Sequence, residues 1–134
     1  MIEIEALTKR YGGTIAVDGL SLRVAPGQLF GLIGPDGAGK TTTMRVLCAL
    51  LPLDGGRASV AGFDVAREAA QLKAVVGYMP QRFSLYPDLT VAENMRFFAD
   101  LFGVPAAERR ARTERLLVFS RLGEFQKRRA RDLS

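Results

Sequence analysis

A glycine-rich segment, GPDGAGKTT at 34–42, constrains the fold of this chain more than any other feature. The apolar run LFGLI at 29–33 precedes it and has the composition of a strand that is buried on both faces. The segment at 40–51 follows it, is rich in Thr, Met, Leu and Ala, and ends at Pro52, which cannot continue a helix. The sequence therefore predicts a strand, a tight loop and a helix in immediate succession, which is the repeating unit of α/β folds with a parallel sheet.

The residue types of this loop suit the binding of phosphate. Glycines let consecutive backbone N–H groups turn inward, and a helix that begins at Gly39 adds its own unpaired N–H groups and its dipole. The segment matches the Walker A pattern G-x-x-x-x-G-K-[ST]. In this pattern Lys40 reaches the β- and γ-phosphates, the Thr41 hydroxyl ligates Mg²⁺ and Thr42 donates to the α-phosphate. The predicted nucleotide-binding set is Gly34, Pro35, Asp36, Gly37, Ala38, Gly39, Lys40, Thr41 and Thr42. The alternative interpretation is an incidental glycine turn before a helix.

Strand and helix patterns alternate along the rest of the chain. Alternating or continuous apolar residues predict strands at 2–7, 16–24, 29–33, 57–61 and 74–78. Helices are predicted at 40–51 and 66–73, after the capping-box sequence Thr90-Val91-Ala92-Glu93, and from Pro105 to about Leu122. The expected fold class is α/β, with a mainly parallel sheet and flanking helices.

Composition and charge exclude several classes of protein. The chain is 48% hydrophobic and 25% charged, which excludes a disordered or collagen-like chain, and a single cysteine cannot form an internal disulfide. It has neither an apolar run of membrane-spanning length nor the amino-terminal pattern of a signal peptide. The net charge of +5 is local, because residues 109–134 hold nine basic and three acidic residues. A uniformly basic nucleic-acid binder is therefore not expected. The basic segment is interpreted as a solvated helix face with a polar loop, and the alternative is a surface for an anionic partner.

Three segments together resemble the ATP-binding cassette (ABC) transporter ATPase subunits. They are the full loop GPDGAGKTT, Tyr11 with the later run AVDGLSL, and Tyr78-Met79-Pro80-Gln81 followed by LYPDLTVAEN. The resemblance covers essentially all 134 residues and looks most like the ATPases of bacterial drug or polyketide exporters. It implies a P-loop NTPase core with an N-terminal antiparallel β portion and a partial helical subdomain, that is, an incomplete ABC ATPase fold. The implied parts of this one ATP-binding domain are 1–82 and 83–134.

The resemblance assigns further residues to an ATP and Mg²⁺ site. Tyr11 falls where the family stacks an aromatic ring on adenine, and the alternative is a surface tyrosine at a strand end. Val17 falls at an apolar adenine contact, or equally in the core. Gln81 matches the glutamine that reaches Mg²⁺ and the attacking water at the hinge to the helical subdomain. Asp36 stands where the family more often has Asn, so its carboxylate is expected to face outward, the alternative being a weaker affinity for nucleotide.

The resemblance also implies partners. Residues 82–102 correspond to the surface that receives a coupling helix from transmembrane permease subunits. The candidate contacts are Phe83, Leu85, Tyr86, Phe97 and Phe98, of which only some of 83–86 are expected to be exposed contacts rather than core. A second ABC ATPase domain is the other implied partner, and nucleic acid is not. The expected location is the cytoplasm, peripheral on the inner face of the cell membrane through the permease.

The sequence contains only part of the family's catalytic machinery. Asp132-Leu133-Ser134 matches the opening of the signature LSGG, and the Walker B strand, its adjacent glutamate and the switch histidine have no counterpart. We therefore expect nucleotide binding with negligible hydrolysis by this chain alone. In the family the Walker B strand lies beside the strand that precedes the phosphate loop. Without it, 29–33 is expected to present an unpaired apolar edge. The chain is therefore expected to be a truncated gene product or one part of a larger chain. The rival hypotheses are a non-catalytic nucleotide-binding remnant, a docking module, and a soluble ABC ATPase that acts on nucleic acid or the ribosome.

Overall fold

A computed structural model describes residues 1–81 and 84–133 of the chain. These residues form two compact units, Met1–Met79 and Pro80–Ser134. Within the described ranges, none of the helices combines the length and the apolar character needed to cross a lipid bilayer.

The first unit is organised around a four-stranded sheet. Its strands are β1 (Ile2–Tyr11), β2 (Thr14–Val24), β3 (Gly55–Val60) and β4 (Phe63–Asp64), in the spatial order β2-β1-β3-β4. All three pairings are antiparallel, and β1 is central because its Ile2 lies opposite both Val24 of β2 and Val60 of β3. The predicted N-terminal antiparallel portion is therefore confirmed, while the short strand β4 was not predicted.

Two helices cover one face of this sheet and form the core with it. They are α1 (Lys40–Leu47) and α2 (Ala69–Val75). The core residues are Ile4, Leu7, Val17, Val46, Leu47, Ala58, Val65 and Leu72. Helix α1 is shorter than the predicted 40–51, since the backbone turns left-handed at Ala49, with φ 51°. A left-handed residue cannot continue a right-handed helix, so the chain leaves the helical path before Pro52.

The predicted buried strands at 29–33 and 74–78 are wrong for this structure. Within residues 1–81, segment 29–33 has no ladder partner, and Leu29 and Ile33 are 100% and 92% exposed. Segment 74–78 contains the end of α2 and then irregular chain. An extended segment becomes a strand only by pairing with a neighbour, and none lies beside either segment in this part of the chain. The sheet of the described residues is accordingly antiparallel rather than mainly parallel. Segment 29–33 is exposed irregular chain and not the unpaired strand edge that was expected.

The second unit is helical. It contains α3 (Val91–Leu101), α4 (Ala106–Ser120) and two single 3-10 turns, Gly123–Phe125 and Ala130–Asp132. Pro105 precedes α4 as its N-cap, one residue earlier than a first-turn proline. Helix α4 ends at Ser120, because its C-cap Arg121 has a left-handed backbone (φ 56°), and this end lies close to the predicted Leu122.

The capping box predicted at the start of α3 is confirmed. The Thr90 hydroxyl oxygen accepts a hydrogen bond from the Glu93 backbone N–H at 3.2 Å, and the Glu93 carboxylate accepts from the Thr90 N–H at 2.7 Å. This reciprocal pair satisfies two backbone donors that the helix itself leaves unpaired.

We expect the capping box to make the stability of the second unit depend on acid pH. The bond from the Thr90 backbone N–H, followed by that from its hydroxyl, lowers the pKa of Glu93 below its ordinary value of 4.5. A depressed folded-state pKa stabilises the fold above the ordinary value, and this stabilisation is lost as pH falls through the lower one. When the pH is lowered from 6 to 3, the melting temperature should therefore fall less steeply for Glu93→Gln than for the wild type. The control is Glu124→Gln, an exposed carboxylate without a hydrogen bond in the described residues; a slope changed equally by both variants would contradict this role.

Candidate functional site

The predicted phosphate loop joins the end of segment 29–33 to helix α1. Gly37 and Gly39 both have a φ of 81°, in the left-handed region that favours glycine. Gly39 is the N-cap of α1, and a Cβ atom at this position would lie 2.3 Å from the Ala16 carbonyl oxygen. The Ala38 N–H donates to the Pro35 carbonyl at 3.3 Å, which closes a turn at the tip of the loop. Glycine is therefore required at 39 by both backbone conformation and space.

The ammonium group of Lys40 folds back over this loop. Its Nζ donates to the carbonyl oxygens of Gly34 at 2.7 Å and Pro35 at 2.6 Å. These two bonds tie the first residue of α1 to the beginning of the loop and hold a positive charge at its mouth. The loop backbone from Gly34 to Ala38 is exposed, so an anion can approach this charge from solvent.

The first turn of α1 keeps backbone donors available. Gly39 makes no side-chain cap, so the first-turn N–H groups lack a capping partner in the described residues. The start of the helix is held instead by Thr43, which is 2% exposed and whose N–H and hydroxyl both donate to the Gly39 carbonyl, at 2.8 and 3.0 Å. Thr41 is exposed and Thr42 is half-buried. The role of Thr43 was not predicted from the sequence. The available signal was a threonine four residues after Gly39, because a hydroxyl at this spacing can donate to the carbonyl four residues earlier.

Val17 lies against the loop from the neighbouring strand. Its side chain is 8% exposed, belongs to the core cluster and would lie 3.1 Å from a Cβ atom at Gly39. It also lines, with Ala38 and Lys40, a cavity of about 230 Å³. The core interpretation of Val17 thus has direct support, and its predicted contact with adenine stays a prediction.

Tyr11 lies at the end of β1, where the turn at Gly12 begins, and is 47% exposed. An ammonium group, the Lys9 Nζ, lies 5.8 Å from the centroid of its ring. Lys9 is 6% exposed and forms an ion pair with Asp54 at 3.1 Å. The second carboxylate oxygen of Asp54 accepts from the Arg10 N–H at 2.6 Å, and this bond, followed by that from Lys9, lowers the pKa of Asp54. Sequence reasoning identified Tyr11 but missed Lys9 and Asp54.

Two further predicted site residues are Asp36 and Gln81. Asp36 is exposed, as are its neighbours from Gly34 to Ala38, and the outward orientation of its carboxylate stays a prediction. Gln81 is exposed and belongs to the unit Pro80–Ser134, whereas the loop belongs to Met1–Met79. Within the first unit the structure therefore brings together the loop, α1 and Val17, and the catalytic and metal-binding roles of Gln81 stay predictions.

The predicted permease-docking surface is partly described. Phe83 lies outside the described residues. Leu85 and Tyr86 are 42% and 48% exposed, and the Tyr86 ring packs edge-to-face on Phe97 with centroids 4.6 Å apart. The buried side chain of Asn94 fixes the preceding segment by accepting from the Tyr86 N–H at 2.9 Å and donating to its carbonyl at 3.0 Å. An ordered, half-exposed aromatic surface therefore exists here.

Comparisons with known proteins agree on one family. The profile of the family described as ABC transporter matches residues 17–134. A probable multidrug ABC transporter ATP-binding protein of Escherichia coli (strain K12) is 48% identical over 136 residues, which cover 100% of this chain and 24% of that protein. The Nod factor export ATP-binding protein I of Paraburkholderia xenovorans (strain LB400) is 45% identical over 133 residues, covering 99% of this chain and 44% of that protein.

A solved structure shows the same fold. The ATP-binding subunit of an ABC transporter superposes on this chain with a TM-score of 0.85 at 28% identity, covering 99% of this chain and 55% of that one. The chain therefore spans about a quarter to about half of the length of the proteins that it matches.

Proposed function

Because this chain belongs to the ABC transporter family, we propose that its loop at 34–42 binds the phosphates of ATP within the nucleotide-binding part of an export transporter. The observation that carries the proposal is the geometry at Gly39 and Lys40. A left-handed glycine starts an uncapped helix, and the ammonium beside it is held 2.6 and 2.7 Å from loop carbonyls. Backbone donors and a cation thus converge on one exposed loop, which is the arrangement that recognises an anion.

Binding would proceed as an exchange of partners by Lys40. Its Nζ leaves the carbonyls of Gly34 and Pro35 and donates to β- and γ-phosphate oxygens, which accept more strongly because they are charged. The N–H groups at the start of α1 and the Thr42 hydroxyl donate to the remaining phosphate oxygens. Tyr11, exposed at the end of β1, offers its ring to adenine.

Mg²⁺ fits the donor set of this loop together with the nucleotide. Within 1–81 and 84–133 there is no cluster of three acidic, histidine or cysteine side chains that could hold a metal ion on its own. Mg²⁺ is commonly held by few protein oxygens together with substrate phosphates. The exposed Thr41 hydroxyl at the start of α1 is such an oxygen, and Gln81 is the second proposed ligand. The bound ion would supply neutralising charge to the phosphates.

The wider role is proposed from the family and from the functions given in the names of its relatives. The E. coli relative is named a probable multidrug ABC transporter ATP-binding protein and the P. xenovorans relative a Nod factor export ATP-binding protein. We propose that 1–82 and 83–134 are parts of one ATP-binding domain that pairs with a second such domain. This pair would work at the inner face of the cell membrane, docked on transmembrane permease subunits through the surface around Leu85 and Tyr86. Measured alone, these 134 residues are proposed to bind ATP without turnover, because the residues present do not include the family's base.

The test is calorimetry with Mg·ATP on the wild type and on Lys40→Ala. Removing charge-assisted bonds worth about 1.5–3 kcal/mol should weaken binding by about tenfold to a hundredfold. The control is Lys73→Ala, which removes the same charge from an exposed position in α2. Phosphate release should stay at background in all three samples.

Two results would contradict this proposal. One is the absence of heat with the folded wild type, and the other is equal affinity in wild type and Lys40→Ala. Salt-sensitive binding to nucleic acid with no response to ATP would favour the soluble, nucleic-acid-directed alternative. Binding of nucleotide without any interaction with permease subunits would favour the non-catalytic remnant.

A further inference from the structure

Lys9 is a cation in an unusual place for a charged side chain. It lies on β1 between Leu7 and Tyr11, which share its face of the strand, and is only 6% exposed. Burying a charge is unfavourable unless it is paired, and Asp54 provides the partner at 3.1 Å. Asp54 is itself fixed by the bond from the Arg10 N–H at 2.6 Å. The ammonium is therefore held at one point rather than moving in solvent.

This fixed ammonium faces an aromatic ring that is half exposed. The Lys9 Nζ lies 5.8 Å from the Tyr11 centroid, within the range in which a cation is attracted to the face of a ring. We propose that Lys9 is a positioning residue that holds the Tyr11 ring for stacking on the base of the bound nucleotide. The inference rests on the proposed function, because it requires phosphates in the loop at 34–42.

The strand pairing connects this contact to the phosphate loop. Lys9 lies directly opposite Val17 in the β1–β2 ladder, and Val17 packs beside Gly39. The ring held by Lys9 and the start of α1 are thus separated by one cross-strand pair. A tyrosine at a strand end has free rotation about two side-chain bonds, and restricting this rotation before binding lowers the entropy lost when a base stacks. Lys9 would therefore act on affinity for the base and not on affinity for the phosphates.

The experiment compares ATP with inorganic tripolyphosphate, both with Mg²⁺, as ligands of the wild type, Lys9→Met, Tyr11→Ala and the double variant. Lys9→Met should weaken ATP binding by about fivefold, in line with a partly desolvated cation–π contact. It should leave tripolyphosphate binding unchanged. In the Tyr11→Ala background Lys9→Met should have no further effect on ATP, since coupled residues do not contribute additively.

Controls separate positioning from structure. Lys9→Arg keeps the positive charge and should bind ATP with about the affinity of the wild type. Arg10→Met removes a neighbouring exposed charge from the same strand and should leave the affinities for both ATP and tripolyphosphate unchanged. If Lys9→Met does not fold, Lys9→Gln, which keeps a donor to Asp54 without positive charge, replaces it in the same comparison.

The outcomes distinguish this inference from the proposed function. Three results would overturn this inference and leave the proposed function intact. Lys9→Met could weaken the binding of ATP and tripolyphosphate equally, or weaken the binding of neither. It could also weaken ATP binding in the Tyr11→Ala background as much as it does in the wild type. Failure of the folded wild type to bind both ligands would overturn the proposed function and this inference with it.

Discussion

Replacing Gly39 with alanine is expected to abolish detectable ATP binding and to lower the free energy of unfolding by about 3 kcal/mol. An alanine in the left-handed region costs about 1–2 kcal/mol, and overpacking against fixed atoms adds about 1–3 kcal/mol. At Gly39 both apply, because φ is 81° and the new Cβ would lie 2.3 Å from the Ala16 carbonyl oxygen. Since that oxygen is backbone, relief requires α1 to move away from β2, which displaces the donors that would receive the phosphates.

The matched control is Gly37→Ala. Gly37 has the same φ of 81°, but a Cβ atom there would have nothing within 4 Å. Urea denaturation followed by circular dichroism should therefore show only the backbone cost, about 1–2 kcal/mol, for Gly37→Ala. Equal destabilisation by the two substitutions would mean that the close approach to Ala16 does not constrain this loop.

The second large effect is expected at Leu7. This residue is fully buried on the central strand β1, and Leu7→Ala should cost about 2–5 kcal/mol, because it removes transfer energy and leaves a cavity. A typical domain is stable by only about 5–15 kcal/mol, so most of the stability margin of the first unit is at risk. The measurement is again the midpoint and slope of the urea transition.

Leu29→Ala makes the same chemical change at a fully exposed leucine. We expect it to alter the free energy of unfolding by less than about 0.5 kcal/mol, as is usual for surface positions. A cost at Leu29 comparable to that at Leu7 would show that segment 29–33 is packed as a strand, as the sequence had predicted.

The parts of the fold and site that the sequence predicted are those determined by neighbouring residues. Gly37, Gly39 and Lys40 lie within four positions, and the loop they form follows from glycine conformations and a helix start. Thr90 and Glu93 likewise form their capping box within one turn. Such signals depend on local backbone geometry, so they can be recognised without knowledge of the rest of the fold.

Other features depended on contacts between distant segments. Segments 29–33 and 74–78 have the apolar composition of buried strands, yet composition cannot supply the neighbour that a ladder needs. The ion pair of Lys9 with Asp54 spans 45 residues, and it forms because β1 pairs with β3 next to the turn that carries Asp54. Neither residue carries a local signal for the other, which explains why their ion pair was not predicted.

The two bonds from Lys40 to the loop carbonyls have a kinetic consequence. Because Lys40 already ties the loop carbonyls to α1, the loop needs no ordering step before a ligand arrives. Capture of the anion would then be a swap of acceptors by the half-buried Lys40 side chain, and side-chain rotations are generally faster than loop motions. The arrival of nucleotide would be limited by diffusion and desolvation rather than by rearrangement of the polypeptide.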